Sequence, residues 1–196
     1  ISFHLTPSSV AIKSCSEDSR LVSNSIAILI LFLYLILFVL HITCNINHVT
    51  NFVLLELGHP LHAFDLSFFQ TKQVLLRRAL KGEKMVTLDG VAREFTPEIL
   101  LITNGQKPLA VAGIIGGQES EVTPFTKDIL IESAYFDPQL IRRGRIHLGV
   151  TTEASVRFEK GTDPENASLA MDRAAQLIAE LSEGQVLKGK VDNYPK

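Results

Sequence analysis

The pattern of apolar and polar positions separates the first 48 residues from the rest of the chain. Residues 26–40 are fifteen consecutive apolar residues, and no Lys, Arg, Asp or Glu occurs between Leu21 and Leu55. As a helix rising ~1.5 Å per residue, this run spans about 22 Å, which is short of a bilayer core of roughly 30 Å. We therefore expect residues 1–48 to lie outside the folded domain and residues 49–196 to form it. A membrane-anchoring helix and a buried core helix are the alternatives for the apolar run.

A second apolar run extends from Phe52 to Leu57 and is followed by Gly58 and Pro60, which turn the backbone. Its length and composition predict a buried core element. Polar side chains stand at both ends of the run, namely Thr50, Asn51, His59, His62 and Asp65. Hydroxyl, amide and imidazole groups at the ends of a buried element predict the lining of a pocket.

Short strands joined by tight turns follow from Gln73. The pair Asp89-Gly90 predicts a hairpin whose two central residues have positive φ. A second strand pair is expected at Ile99–Thr103 and Leu109–Ala112, across Asn104-Gly105.

Two features of these strands predict unusual surroundings. The glycine-rich segment Gly113–Gly117 indicates backbone that passes close to another strand or to a ligand. Glu132 lies inside the apolar strand Asp128–Ala134. A carboxylate in such a strand is expected to be paired, to have a shifted pKa or to be functional, and structural pairing is an equal alternative.

Helices are predicted late in the chain. Asp137-Pro138 marks the start of one helix that ends at Gly149, and Asp163-Pro164 starts another that ends at Gly184. Residues 151–165 are interpreted as a loop between them, in which Thr152, Ala154 and Ser155 leave room for a ligand or pack on the sheet. A last short strand is predicted at 186–191. Strands followed by helices, with many hairpins, predict an α+β fold.

Composition limits the function classes. A formal charge of −2 over 196 residues argues against binding nucleic acid by charge alone, so any RNA contact should be local. The candidate RNA-binding side chains are Arg142, Arg143, Arg145, Lys72, Arg77 and Arg78. The ordinary interpretation of each side chain is that it lies on a solvent-exposed face and does not bind RNA.

Other chemistries find little support in the sequence. Two cysteines, Cys15 and Cys44, do not make a disulfide framework and fit a reducing compartment. A zinc site is disfavoured because His59 and His62 lack paired ligand spacing. A serine hydrolase is disfavoured because no serine stands in a nucleophile elbow.

Six motifs in order resemble one family. They are VTN (49–51), LELGHPLHAFD (55–65), VTLDG (86–90), AGIIGG (112–117), ILIESAYFDP (129–138) and LGVTTEASVRFEKGTDPE (148–165). Over about Val49 to Pro195, the chain resembles the editing module, the third and fourth domains, of the β subunit of bacterial-type phenylalanyl-tRNA synthetase. The resemblance implies an α+β module built around a β-sandwich, with two to three packed helices. It also implies hydrolysis of tyrosine wrongly attached to phenylalanine tRNA.

The family's site residues fall on seven positions of this chain by motif. The resemblance implies that His62, Thr50 and Asn51 hold the ester and the attacking water. It implies that Glu132, Gly116, Thr152 and Ala154 bind the substrate. We expect Glu132 to accept the tyrosine hydroxyl as a charged acceptor, and His62 to act either as a base or by positioning water.

The resemblance also implies partners and a cellular location. The module should bind the acceptor end of tRNA(Phe) and, within the complete enzyme, an α subunit. It should need no cofactor, since ATP and Mg serve only the complete synthetase, and it should not aminoacylate by itself. The expected location is the cytoplasm, with an organelle as the alternative, and no membrane partner is expected.

Three positions depart from the family pattern. An Arg several residues before VTN and an Asp directly before it are replaced, by His41 or a neighbour and by His48, and Glu153 stands where Asp is usual. The alternative function is therefore a non-catalytic module, structural or tRNA-presenting, that has lost editing activity.

Overall fold

Three antiparallel sheets and four α-helices make up the part of the chain that the computed structural model describes, residues 2–4, 46–70, 73–187 and 191–192. The strands are β1 (Ser2–His4), β2 (Leu61–Asp65), β3 (Gln73–Arg78), β4 (Lys84–Val86), β5 (Ala92–Glu94), β6 (Leu100–Thr103), β7 (Pro108–Val111), β8 (Ile115–Gly116) and β9 (Ile129–Ser133). The helices are α1 (Ile46–Leu57), α2 (Pro138–Leu148), α3 (Glu153–Lys160) and α4 (Asn166–Ser182), with a short 3₁₀ turn at Leu66–Phe68. The predicted α+β class is confirmed.

The largest sheet has the strand order β1-β3-β6-β7-β8, while β2 pairs with β9 and β4 pairs with β5. Both predicted hairpins form: β4 and β5 flank Asp89-Gly90, and β6 and β7 flank Asn104-Gly105. The turn geometry differs from the prediction at one residue. Gly90 has a φ of 75°, but Asp89 does not have a positive φ. The Asp89 carboxylate instead accepts hydrogen bonds from Thr87 Oγ1 and Val91 N, which hold the turn together from within.

The β2–β9 ladder separates two cores, because successive side chains of a strand point to opposite faces. On one face Ala63, Ile129 and Ile131 pack with apolar residues of α1 and α4, and we call this the helix-side core. On the other face Phe64 and Leu130 pack toward the five-stranded sheet, which forms the larger, sheet-side core.

Local chemistry sets the ends of α2 as predicted. The Asp137 carboxylate accepts hydrogen bonds from the backbone N–H groups of Gln139 and Leu140, Pro138 is the first helical residue, and Gly149 caps the end with a φ of 64°. Helix α4 starts slightly after the predicted Asp163-Pro164 and ends at Ser182, two residues before Gly184.

Three predictions about local structure were wrong. The run from Phe52 to Leu57 belongs to α1 and is not wholly buried, since Phe52 is 50% and Leu55 76% exposed. The predicted loop at 151–165 contains α3, whose first turn is closed by reciprocal hydrogen bonds between Thr152 and Ser155. Val186, Leu187 and Val191 are not in a strand, and residues 188–190 lie outside the described ranges.

Several sequence features lie outside the residues that the structure describes. The apolar run at 26–40, both cysteines, His41 and Lys72 are not among the described residues. Within the described ranges, no helix is at once long enough and apolar enough to cross a membrane.

Candidate functional site

A cavity of about 370 Å³ opens between the β2–β9 ladder, α1, the glycine-rich segment 113–117, the tip of the β4–β5 hairpin and the start of α3. Its volume lies in the usual range for small-molecule sites. All seven positions that the sequence analysis assigned to the site line it, namely Thr50, Asn51, His62, Gly116, Glu132, Thr152 and Ala154. The chain thus brings together residues up to 104 positions apart in the sequence.

Two ionisable side chains occupy the ladder wall of this cavity. His62 of β2 and Glu132 of β9 are directly opposite each other in the antiparallel register. Such partners share a face and have Cβ atoms about 4.5–5.5 Å apart. Both are half-buried, lie on the face toward the five-stranded sheet and line the cavity.

Burial favours the neutral form of both groups. It raises the pKa of Glu132 to about 8 and lowers the pKa of His62 to about 4. No described Lys or Arg forms an ion pair with Glu132, so the structural-pairing alternative finds no support. At neutral pH the wall carries a carboxylic acid beside a neutral imidazole, whereas the sequence analysis expected a charged carboxylate.

Gly116 lies directly against the His62 ring. A Cβ at Gly116 would be 2.6 Å from His62 Cε1 and 2.9 Å from Leu88 Cδ1, which is too close for any side chain. The predicted close approach of the glycine-rich backbone is confirmed, and its neighbour is the site histidine. The His62 Nε2 atom is buried there without a hydrogen-bond partner. A buried polar nitrogen without a partner is uncommon in folded proteins, which marks this point of the wall as unusual.

Helix α1 brings Thr50 and Asn51 to the cavity. Thr50 is buried, and its hydroxyl donates to the Asn47 carbonyl at 3.0 Å. The hydroxyl lone pairs therefore remain free to accept from a ligand. Asn51 is exposed and stands at the mouth.

Thr152 and Ala154 form the opposite wall at the start of α3. The Thr152 hydroxyl donates to the Ile114 carbonyl at 2.7 Å and accepts from Ser155 N at 3.1 Å. It thus fixes the glycine-rich segment to the helix start, so Thr152 shapes the cavity through structure, and the small side chain of Ala154 leaves the space open.

Sequence reasoning missed several residues of the cavity wall. Leu88 lies at the tip of the β4–β5 hairpin, and Phe158 comes from α3. His59, which was predicted for the pocket lining, does not line the cavity; it is 1% exposed and meets the Phe158 ring edge-on at 6.3 Å. The missed signal for Phe158 was its position six residues after the Thr152 cap, which places it one and a half turns into a helix.

The arginines predicted to contact RNA differ in their availability. Arg77 forms a bidentate pair with Glu83, and Arg145 forms one with Glu159. Arg78 donates to a backbone carbonyl, while Arg142 and Arg143 are exposed. An RNA role stays a prediction, and Arg142 and Arg143 are its freest members.

The described ranges contain no group of three or more His, Cys, Asp or Glu side chains arranged to hold a metal ion.

Known proteins resemble the chain over the region that builds this cavity. The model of the B3/4 domain family matches residues 40–183. The phenylalanine–tRNA ligase β subunit of Syntrophus aciditrophicus (strain SB) is 53% identical over 152 residues, covering 78% of this chain and 19% of the relative. The protein of the same name from Bacillus subtilis (strain 168) is 52% identical over 148 residues, covering 76% of this chain and 18% of the relative. The chain thus spans about a fifth of the length of the curated relatives it matches.

Proposed function

The chain belongs to the B3/4 domain family, and from this premise we propose that it hydrolyses the ester that joins tyrosine to a mischarged phenylalanine tRNA. The observation that carries the proposal is the neutral His62–Glu132 pair on one wall of the cavity. Glu132 can form hydrogen bonds with a phenol, and His62 can form one with the water that attacks the ester.

Glu132 selects the substrate in this proposal. A protonated carboxyl offers both an O–H donor and a carbonyl acceptor, so it can accept the phenol hydrogen and donate to the phenol oxygen. Phenylalanine would leave this buried polar group without a partner, which costs about 1–3 kcal/mol. Because the group is neutral, tyrosine binding does not require burying a charge.

In this proposal His62 positions the attacking water and does not act as a general base. A general base works best with a pKa near the working pH, and burial holds the pKa of His62 at about 4. Its unpartnered Nε2 can accept a hydrogen bond from water, with Thr50 and Asn51 orienting the ester. The water oxygen attacks the ester carbon, and the bond to the ribose oxygen breaks. Of the two protons of the water, one ends on the ribose oxygen and the other is released to solvent as tyrosine leaves as a carboxylate.

The partners and domain limits follow as parts of the same proposal. The relatives are named as β subunits of a ligase, which supports an α subunit and the tRNA acceptor end as partners. The proposed hydrolysis uses no cofactor. The domain is proposed to include the whole of α1 and therefore to begin by Ile46, three residues before the expected boundary.

A deacylation assay tests the hydrolysis. The chain should release tyrosine from Tyr-tRNA(Phe) well above the buffer rate, and His62→Ala should lower the rate about a hundredfold. His147→Ala removes an exposed histidine on α2 and should leave the rate unchanged. A parent chain no faster than buffer would contradict the proposal and favour the alternative of a non-catalytic module.

A further inference from the structure

The tip of the β4–β5 hairpin closes one side of the cavity. Thr87 is fully buried beneath it, and the Leu88 N–H donates to the Gly116 carbonyl at 3.0 Å. The Leu88 side chain lines the cavity, yet it is 39% exposed. An apolar side chain is therefore held at the opening beside the residue that contacts His62.

A polar network fixes the hairpin tip in this position. The Asp89 carboxylate accepts from the Thr87 hydroxyl at 2.6 Å and from both terminal nitrogens of Arg93 at 2.7 Å. The Arg93 hydrogen bonds hold the pKa of Asp89 well below its usual range. The position of Leu88 is thus set before any ligand arrives, which lowers the entropy cost of binding against it.

The chemistry of the proposed substrate determines what reaches the opening. If the phenol meets Glu132 and the ester meets His62, the ribose and its base must extend outward from the cavity. Among the described residues, three of the cavity-lining side chains are exposed: Asn51, Leu88 and Glu153. Leu88 is the apolar member of this set.

We propose that Leu88 is the binding contact for the terminal nucleobase of the aminoacylated tRNA. This inference rests on the proposed function, since it needs a tyrosyl ester attached to a nucleoside. A nucleobase has two apolar faces that stack on aromatic or apolar side chains. Leu88 covers one face of the base, while Asn51 and Glu153 flank its polar edges.

Binding of a stable analogue tests the contact without relying on catalysis. The probe is adenosine with tyrosine in amide linkage at its 3′ position, and tyrosinamide serves as the ligand without a nucleoside. Calorimetry should show that Leu88→Ala binds the nucleoside probe about tenfold more weakly than the parent. A loss of this size is typical of removing one contact to a base. Tyrosinamide binding should be unchanged, and Leu88→Met should keep the parent affinity within about threefold.

Val91→Ala is the matched control. Val91 is in the same hairpin tip and is 47% exposed, but it does not line the cavity. This variant should bind the nucleoside probe like the parent. An equal loss in Val91→Ala would overturn the inference, because it would show a general disturbance of the tip.

Two further results would overturn the assignment. Leu88→Ala could bind the nucleoside probe as the parent does, or it could lose affinity for both ligands equally, which would place Leu88 against the tyrosine ring. A parent that hydrolyses Tyr-tRNA(Phe) while giving either result refutes only the nucleobase contact. A parent that binds the probe through Leu88 but does not hydrolyse the ester refutes only the proposed function.

Discussion

The two faces of the β2–β9 ladder, which share ten positions of backbone, differ at the residues that meet the helix-side core and the cavity. The helix side presents Ala63, Ile129 and Ile131, which are 1–5% exposed and sealed by α1 and α4. The cavity side presents His62 and Glu132 next to Phe64 and Leu130. Both faces belong to one hydrogen-bonded ladder, so the difference lies only in the side chains.

This contrast separates what stabilises the fold from what the cavity requires. Apolar burial on the helix side contributes about 25 cal/mol per Å² of area removed from water. A buried carboxyl without an ionic partner contributes nothing comparable, and its ionisation opposes folding. The cavity face therefore lowers the free energy of unfolding, and variants on the two faces should differ in stability.

The largest expected effect is the pH dependence caused by Glu132. Its pKa is about 8 in the folded chain against 4.5 in the unfolded chain, so folding stability is fully present below pH 4.5 and is lost as the pH rises toward 8. Each pH unit in this window costs about 1.4 kcal/mol. Glu132→Gln should remove this loss, so that urea unfolding shows the variant gaining roughly 3 kcal/mol on the parent between pH 5 and pH 8.

His62 is present in both chains and so does not alter the comparison of their stabilities. Its effect on stability has the opposite sign to that of Glu132. Burial lowers its pKa to about 4, so its contribution is present above pH 6.5 and is lost as the pH falls toward 4. The variant and the parent share this loss. Parallel stability profiles for Glu132→Gln and the parent would show that the Glu132 carboxyl is not held neutral by burial.

A truncation on the helix face gives the second effect. Ile131→Ala should lower the free energy of unfolding by about 3 kcal/mol, because it leaves a cavity among residues of α1 and α4. At pH 5, where the Glu132 carboxyl is protonated, Glu132→Gln should change stability by less than about 1 kcal/mol. These two variants alter adjacent residues. Equal losses of stability in Ile131→Ala and Glu132→Gln would show that the two faces do not differ in their contribution to folding.

Crowding the cavity face changes stability less than the Ile131 truncation does. Gly116→Ala places a Cβ against His62 and should cost about 1–2 kcal/mol by urea unfolding, while hydrolysis of Tyr-tRNA(Phe) falls much further. Hydrolysis per folded molecule that matches the parent in Gly116→Ala would contradict the role of Gly116.

Local chemistry predicted the fold well where one residue decides the backbone. Asp137-Pro138 and Gly149 bound α2 because capping and a left-handed end are properties of single residues. Helix α3 was missed because its cap pairs Thr152 with Ser155 rather than with the usual Glu or Gln. Exposure of Phe52 and Leu55 was missed because an apolar run does not reveal which side of a helix is covered.

The site was predictable as a set of residues but not in its electrostatics. Motif order placed Glu132 and His62 in one site, and the structure brings them to opposite positions of one ladder. Their protonation states depend on burial by residues distant in sequence, so a carboxylate and a base of ordinary pKa were expected instead. Leu88 escaped notice because one apolar residue in a turn has no periodic pattern around it.

The most direct test of the account is the ratio of Tyr-tRNA(Phe) to Phe-tRNA(Phe) hydrolysis at neutral pH, measured for the parent, Glu132→Ala and Glu132→Gln. The account predicts that Glu132→Ala lowers the ratio about a hundredfold, since the partner of the phenol is gone. Glu132→Gln should keep most of the ratio because its amide is also neutral and also both donates and accepts. A Glu132→Ala chain that discriminates as sharply as the parent would contradict the claim that Glu132 recognises the tyrosine hydroxyl.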